Sequence, residues 1–172
     1  KDFIQKNGLS TSLIQTDYEK PTSTVVVELG ENNHVKFEIV DNVAWDGFEV
    51  TDDLKRAAAE ADVIIYGTLA SRHSFARENI ISMMGNGSLN LIDVNLRPPF
   101  NSPGVVETLL RKAGIAKMND DELKVIGGWH GRTSAGKDLA KWFSYEYNCS
   151  MVCVTRGANG AMIFDGQTFF EH

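Results

Sequence analysis

The sequence is poor in cysteine and in basic residues, and each shortage excludes a class of protein. Among its 172 residues are two cysteines, Cys149 and Cys153, and four histidines. These residues give no disulfide framework and no zinc-binding spacing, so we expect a reducing compartment, the cytoplasm. The 17 lysines and arginines are outnumbered by 23 aspartates and glutamates, which gives a net charge of −6. Binding to nucleic acid, which needs an extended basic surface, is not expected.

Long hydrophobic runs are missing as well. No apolar segment approaches the ~20 residues that a membrane helix needs, and the first residues do not form the apolar segment of a signal peptide. We therefore expect neither a membrane span nor a membrane partner. The composition is 42% hydrophobic and 23% charged, which is typical of an ordinary globular domain with a buried core.

Predicted strands alternate with predicted helices over most of the chain. Apolar runs at 62–67, 89–97, 115–118 and 151–155 predict strands, and residues 160–170 predict a closing hairpin. Helices are predicted at 74–84, 105–113, 119–126 and 134–147, and the pair Gly127-Gly128 is predicted to end the third of them. This order is typical of βαβ units and predicts an α/β fold with a mostly parallel sheet flanked by helices.

A β-hairpin is predicted before this alternation begins. Residues 24–29 are a β-branched run, residues 30–33 have the composition of a turn, and residues 34–40 alternate polar and apolar side chains. The pattern is that of two half-exposed antiparallel strands. We expect a small flap within 22–40 that stands outside the main sheet.

Three polar side chains come at the end of the strand predicted at 89–97. Asp93, Asn95 and Arg97 share one face if the strand alternates regularly, and Pro98 and Pro99 then stop it. Open α/β sheets bind ligands outside the carboxyl ends of their strands, and arginine grips phosphate or carboxylate groups with a planar fork. The alternative is a strand end whose polar groups are solvated or paired with one another.

Two further polar groups follow predicted strands. Asn119 and Glu122 have the spacing of a capping box at a helix start, and they also suit Mg²⁺ held through water near a phosphate. The segment 155–160 has two glycines, which allow backbone N–H groups to turn towards an anion. The alternative for this segment is a tight turn into the closing hairpin.

Taken in order, three segments resemble the pfkB family of ribokinase-like carbohydrate kinases, and fructokinases most closely. They are DVNLRPP at 93–99, KMNDDEL at 117–123 and VTRGANG at 154–160. The resemblance implies a three-layer ribokinase-like fold in which the hairpin is a lid over the sugar. It also implies ATP-dependent phosphorylation of a sugar hydroxyl with Mg²⁺, and a homodimer formed through the lid.

The resemblance also implies roles for individual residues. Arg97 would approach the transferred phosphoryl group, and Glu122 with Asn119 would lie near Mg²⁺, through water. Asp93, Asn95 and Phe37 are the candidate sugar contacts. The residues that would bind ATP are Asn119, Thr155, Arg156, Gly157, Ala158, Asn159 and Gly160.

Two motifs of the family have no counterpart in this sequence. One is an early Gly-Gly substrate motif, and the other is a late Gly-Ala-Gly-Asp motif that holds the catalytic base and an anion hole. We therefore expect residues 1–172 to be an internal fragment of one kinase domain, lacking both ends and inactive alone. The alternatives are a related kinase of 2-keto-3-deoxygluconate, ribose or a nucleoside, and a non-catalytic nucleotide-binding module.

Overall fold

The computed structural model describes residues 1–29, 35–85 and 87–172, and leaves out the side chains of 28, 29 and 35–38. The turn predicted at 30–33 lies outside the described residues. The helices are α1 (Asp2–Lys6), α2 (Asp52–Glu60), α3 (Ser74–Met83), α4 (Pro103–Leu110), α5 (Asp120–Trp129) and α6 (Gly136–Tyr147). The strands are β1 (Val25–Leu29), β2 (Val35–Ile39), β3 (Val63–Gly67), β4 (Leu89–Asp93), β5 (Ile115–Asn119), β6 (Met151–Thr155), β7 (Ala161–Phe164) and β8 (Phe169–Glu171).

A six-stranded sheet, β3-β4-β5-β6-β7-β8, forms the centre of the molecule. The pairings from β3 to β6 are parallel, and the last two are antiparallel. The prediction of a mostly parallel α/β sheet with a closing hairpin is therefore confirmed. Each parallel strand lies beside the preceding one in the chain. Right-handed crossovers consequently carry the connecting helices to the same face of the sheet.

The two faces of the sheet differ in burial. Tyr66, Ile92, Ala116 and Val152 are register neighbours on the buried face, where α3 to α6 supply the rest of the core. On the opposite side, which we call the exposed face, Ile65 is 70% exposed and Val63 is 43% exposed. The core therefore lies between the sheet and one layer of helices. No helix in the described part of the chain is both long and apolar enough to cross a membrane.

The strand predicted at 89–97 ends at Asp93, so its predicted length is wrong. Val94 N still donates to Lys117 O at 2.9 Å, but Asn95 has a φ of 43°. Asparagine tolerates this left-handed conformation better than most residues do, and it turns the chain out of the sheet before the prolines. Leu96 N then donates to Glu122 Oε1 at 2.7 Å instead of to a neighbouring strand.

Helix α5 continues through the two glycines that were predicted to end it. Gly127 is buried, and a Cβ at this position would lie 2.8 Å from Leu139 Cδ1 of α6. Glycine in a helix costs about 1 kcal/mol relative to alanine. Close packing of α5 on α6 outweighs this cost, so the glycine serves helix contact and not helix termination.

The hairpin of β1 and β2 is a separate two-stranded sheet. Its strands pair antiparallel, from Val25 with Ile39 to Leu29 with Val35. Below the paired strands, Val40 N donates to Thr24 O at 3.3 Å. An isolated two-stranded hairpin is at best marginally stable in water. The orientation of the hairpin relative to the main sheet therefore depends on the contacts made by the residues at its base.

Candidate functional site

The carboxyl ends of β4, β5 and β6 meet at one edge of the sheet. Asp93 is the register partner of Lys117, and Asn119 is the partner of Thr155. The start of α5 and the turn at 156–160 follow directly from these ends. Parallel pairing thus brings the three predicted polar groups to the same edge.

The first group has an exposed ion pair and an exposed arginine. Asp93 Oδ1 lies 2.9 Å from Lys117 Nζ, and both side chains are more than 40% exposed. Such exposed pairs contribute about 0–1 kcal/mol, so this one does little to fix the fold. Asn95 and Arg97 are exposed too, and Arg97 Nη1 donates to Leu96 O at 3.0 Å. These side chains are accessible to a ligand at the sheet edge.

Asn119 and Glu122 form the predicted capping box. Asn119 Oδ1 accepts from Glu122 N at 2.8 Å, and Glu122 Oε2 accepts from Asn119 N at 2.9 Å. Glu122 is only 8% exposed, and its second oxygen accepts from Leu96 N at 2.7 Å. One carboxylate therefore joins the start of α5 to the segment that carries Arg97.

The same geometry tests whether these residues fit Mg²⁺. Each oxygen of Glu122 already accepts a backbone N–H, and Asn119 Oδ1 accepts a third. A direct metal bond would compete with all three. Because Mg²⁺ keeps several waters and is often held by one or two protein groups beside phosphates, the pair fits a metal held through water.

The turn at 156–160 combines two left-handed glycines with free backbone donors. Gly157 has a φ of 56° and Gly160 a φ of 78°. Arg156 N donates to Gly160 O at 2.8 Å, which closes the turn. The N–H groups of Gly157 and Ala158 have no acceptor among the residues that the structure describes. Two adjacent free N–H groups are the kind of donor set that cradles a phosphate.

The side chain of Arg156 is bound within the fold. Its Nη1 lies 3.2 Å from Glu171 Oε1, and its Nη2 donates to Ala161 O at 3.3 Å. The guanidinium therefore fastens the turn to the closing hairpin. In this structure the backbone of the turn is more available to a ligand than this arginine is.

Sequence reasoning missed a fourth polar group, which follows β3. Thr68 is buried, and its Oγ1 donates to Val94 O at 2.6 Å. Arg72 is also buried and makes a two-pronged pair with Asp46: Nε lies 2.8 Å from Oδ1, and Nη2 lies 2.6 Å from Oδ2. The sequence signal was partial: Thr68, Ser71 and Arg72 follow the strand that ends at Gly67, but their partners lie in a distant segment.

Arg72 is surrounded by aromatic rings and carboxylates. The centre of its guanidinium lies 4.2 Å from the Trp45 ring and 4.8 Å from the Phe100 ring. Burial alone would raise the pKa of the Asp46 carboxyl, but hydrogen bonds from Arg72 and from Val43 N–H outweigh burial and lower it. This carboxylate is therefore held in its charged form beside the arginine.

A histidine completes the cluster around Arg72. His73 Nε2 lies 2.7 Å from Asp41 Oδ1, and this hydrogen bond is the main cause of the lowered pKa of Asp41. Asp41, Asp46 and His73 place one possible ligand atom each within 4.8 Å of the others. Arg72 contacts both carboxylates and already supplies the positive charge that a metal would bring, so we assign no metal to this cluster.

A cavity of about 750 Å³ lies at the base of the hairpin. Trp45 lines it while contacting Arg72, and Asp93, Asn95 and Arg97 do not line it. The side chain of Phe37, the third predicted sugar contact, lies outside the described residues. The residues around the cavity belong to segments 14–19, 22–23, 44–45 and 47–49, together with Thr51.

Comparison with solved structures finds the same fold in sugar kinases. A fructokinase from Xylella fastidiosa is 16% identical with a TM-score of 0.84, and its match covers 99% of this chain and 56% of that one. An uncharacterized sugar kinase from Pyrococcus horikoshii is 20% identical with a TM-score of 0.78, covering 99% and 57%. A fructokinase from Vibrio cholerae O395, in a form bound to fructose, ADP and calcium ion, is 18% identical with a TM-score of 0.77, covering 99% and 56%.

The chain thus spans little more than half the length of these neighbours, while they match nearly all of it. A comparison with curated proteins found no match. The family comparison is the decisive one, because the sequence pattern described as "pfkB family carbohydrate kinase" matches residues 1–172. The chain therefore belongs to the pfkB family of carbohydrate kinases.

Proposed function

We propose that the whole protein transfers the terminal phosphoryl group of ATP to a sugar hydroxyl, as a fructokinase-like enzyme that uses Mg²⁺. The observation that carries this proposal is the meeting of three strand ends with Arg97 and the turn at 156–160 at one sheet edge. Phosphoryl transfer depends mostly on positioning and on neutralising charge. An exposed guanidinium and free backbone N–H groups at a common edge meet both needs.

The proposed nucleotide site is built around the turn. The free N–H groups of Gly157 and Ala158 would face the phosphates, and Asn119 and Thr155 lie side by side at the neighbouring strand ends. Asn159, Gly160 and Arg156 complete the set, with Arg156 acting through the position of the turn. Mg²⁺ would be held through water near Glu122 and Asn119 and would neutralise charge on the phosphates.

The proposed sugar site lies across the same edge. Asp93 and Asn95 offer exposed polar groups to hydroxyls, and the hairpin of β1 and β2 would be the lid. Val25, Val26 and Val27 of the hairpin are about half exposed. We include in the proposal a homodimer that covers these valines, and a cytoplasmic location, where ATP is available.

The isolated chain is proposed to be inactive. None of the residues assigned above takes the proton of the sugar hydroxyl, and a positioned base typically contributes about 10²–10⁴-fold. An anion hole for the phosphoryl group is likewise unassigned, and one such donor is worth about 10²–10³-fold elsewhere. The isolated chain would then bind its substrates without converting them to product.

The test is a coupled ADP-release assay of the whole protein with fructose, ribose, 2-keto-3-deoxygluconate and a nucleoside. We expect fructose to give the highest kcat/KM, and Arg97→Gln to lower kcat by about 10²-fold. Arg111→Gln is the matched control, because Arg111 is an exposed arginine whose carboxylate partner, Glu146, lies on α6.

ATP binding without sugar-dependent ADP release would favour the non-catalytic nucleotide-binding module. If residues 1–172 alone turned over sugar at a rate within about tenfold of the whole protein, the proposal that the catalytic base is not among these residues would be refuted.

A further inference from the structure

We propose that Arg72 is a positioning residue that couples the lid hairpin to the segment carrying Arg97. The inference rests on the proposed kinase function for its kinetic consequences, although its structural part can be tested without activity. The residue acts through its neighbours and has no assigned contact with the substrate.

The first half of the coupling is at the base of the hairpin. Arg72 Nη2 donates to Val40 O at 3.1 Å, one residue after β2 ends, and lies 3.3 Å from Asp41 Oδ1. The pair with Asp46 fixes the next turn of the returning chain. Because a two-stranded hairpin has no third strand to orient it, these contacts at its base set its angle to the sheet edge.

The second half of the coupling is the contact of the guanidinium with Phe100. The centre of the guanidinium lies 4.8 Å from the Phe100 ring, and Phe100 N donates to Arg97 O at 2.8 Å, so the ring and Arg97 belong to one tight turn. Four residues before Arg72, Thr68 holds Val94 O near the start of the same segment. The loop after β3 therefore contacts both ends of the segment 94–100.

Only arginine can make this set of contacts at once. Its flat guanidinium lies against two aromatic rings, Trp45 and Phe100, while its edge makes the two-pronged contact with Asp46. Lysine keeps the charge but has neither the flat faces nor the fork. The Arg72 side chain is fully buried and that of Asp46 is 3% exposed. Because both side chains are shielded from solvent, water cannot easily replace a hydrogen bond that a substitution of Arg72 removes.

The consequence for catalysis is that closing of the lid and placement of Arg97 are linked through one rigid group. A displacement of about 1 Å in a reacting geometry can cost about 10²-fold in rate. A change at Arg72 is therefore expected to alter both sugar binding and the chemical step, with little effect on nucleotide binding at the turn 156–160.

The kinetic test compares Arg72→Lys with Arg111→Lys in the whole protein. Arg111 is a matched control, since it also lies over an aromatic ring (Tyr147, 5.4 Å) and near a carboxylate (Glu146, 3.3 Å), but between α4 and α6. For Arg72→Lys we expect the KM for sugar to rise at least about 10-fold and kcat to fall, with the KM for ATP within about twofold of wild type. Arg111→Lys is expected to change none of the three constants. Unchanged sugar KM and kcat in Arg72→Lys would overturn the kinetic part.

Hydrogen exchange supplies the readout that does not need activity. In Arg72→Lys we expect faster exchange of the amides of β2 and also of the Leu96, Arg97 and Phe100 amides, while the core strands stay protected. Faster exchange in β2 alone would show a local structural contact and overturn the coupling. If Arg72→Lys does not fold, Phe100→Leu removes one of the two aromatic contacts of Arg72 and keeps the pair with Asp46. This variant is expected to speed amide exchange in β2 as well, and unchanged exchange in β2 would overturn the proposal.

The two proposals fail in different ways. If the variants show the coupled exchange but the wild-type protein shows no sugar-dependent turnover, the result counts against the proposed function alone.

Discussion

Replacing Glu122 by alanine removes one buried carboxylate that has two structural partners. The sequence alone, read as a capping box, predicts a loss of about 1 kcal/mol, which is the usual value for a lost cap. The structure adds a hydrogen bond from Leu96 N to the other oxygen. Hydrogen bonds to charged groups contribute about 1.5–3 kcal/mol, and a buried N–H left without an acceptor is penalised. We therefore expect Glu122→Ala to lower the free energy of unfolding by about 3 kcal/mol.

The assay is urea and thermal unfolding of the chain, followed by tryptophan fluorescence and far-UV circular dichroism. For a chain of this size, 3 kcal/mol corresponds to a fall in Tm of about 6–12 °C. Asp121→Ala is the matched control, because Asp121 is in the same first turn of α5, but its side chain is 84% exposed and lies 3.0 Å from Lys124 Nζ in an exposed ion pair. We expect this control to cost less than about 1 kcal/mol. If the two variants were equally stable, the reasoning that Glu122 joins two segments would be refuted.

Three other predictions test separate features. Gly160→Ala places a Cβ 1.7 Å from His172 O, so it should destabilise far more than Gly166→Ala, whose nearest atom is 3.7 Å away, when the two Tm values are compared. The pKa of Asp46 is lowered in the fold, so its contribution to stability is present above about pH 4 and is lost as pH falls below that value. Asp46→Asn should therefore flatten the stability profile at acid pH, and a slope equal to that of wild type would contradict the pair with Arg72. The exposed lid predicts a dimer by light scattering; a monomer at high concentration would count against it.

Much of the fold was predictable because local patterns and tertiary structure agree. Apolar, β-branched runs predicted β3 and β6, and the Asn119 cap predicted the start of α5. The end of β4 was not predictable from alternation, since apolar residues continue past Asp93. It is decided by a left-handed Asn95 and by a distant acceptor, Glu122. A pattern along one strand contains neither of these facts.

The candidate site likewise has a part that was predictable from the sequence and a part that was not. The edge shared by Asp93, Asn119 and Thr155 follows from parallel topology alone. The cluster around Arg72 was missed because its partners lie 26 and 32 residues earlier, in the segment that returns from the hairpin. Spacing rules find groups on one element, whereas this cluster exists only once the hairpin has folded back.

The difference between the two sides of the sheet also has a practical use. Burial raises the pKa of the Cys149 thiol to about 11, and its Sγ donates to Ala113 O at 3.4 Å, so it is a poor nucleophile. Cys153 is half-buried on the exposed face, in register with Lys117 and Ile163. A maleimide reagent at neutral pH should therefore label one position selectively. Its labelling rate in a longer form or an assembly of this protein would report directly whether that side of the sheet is covered.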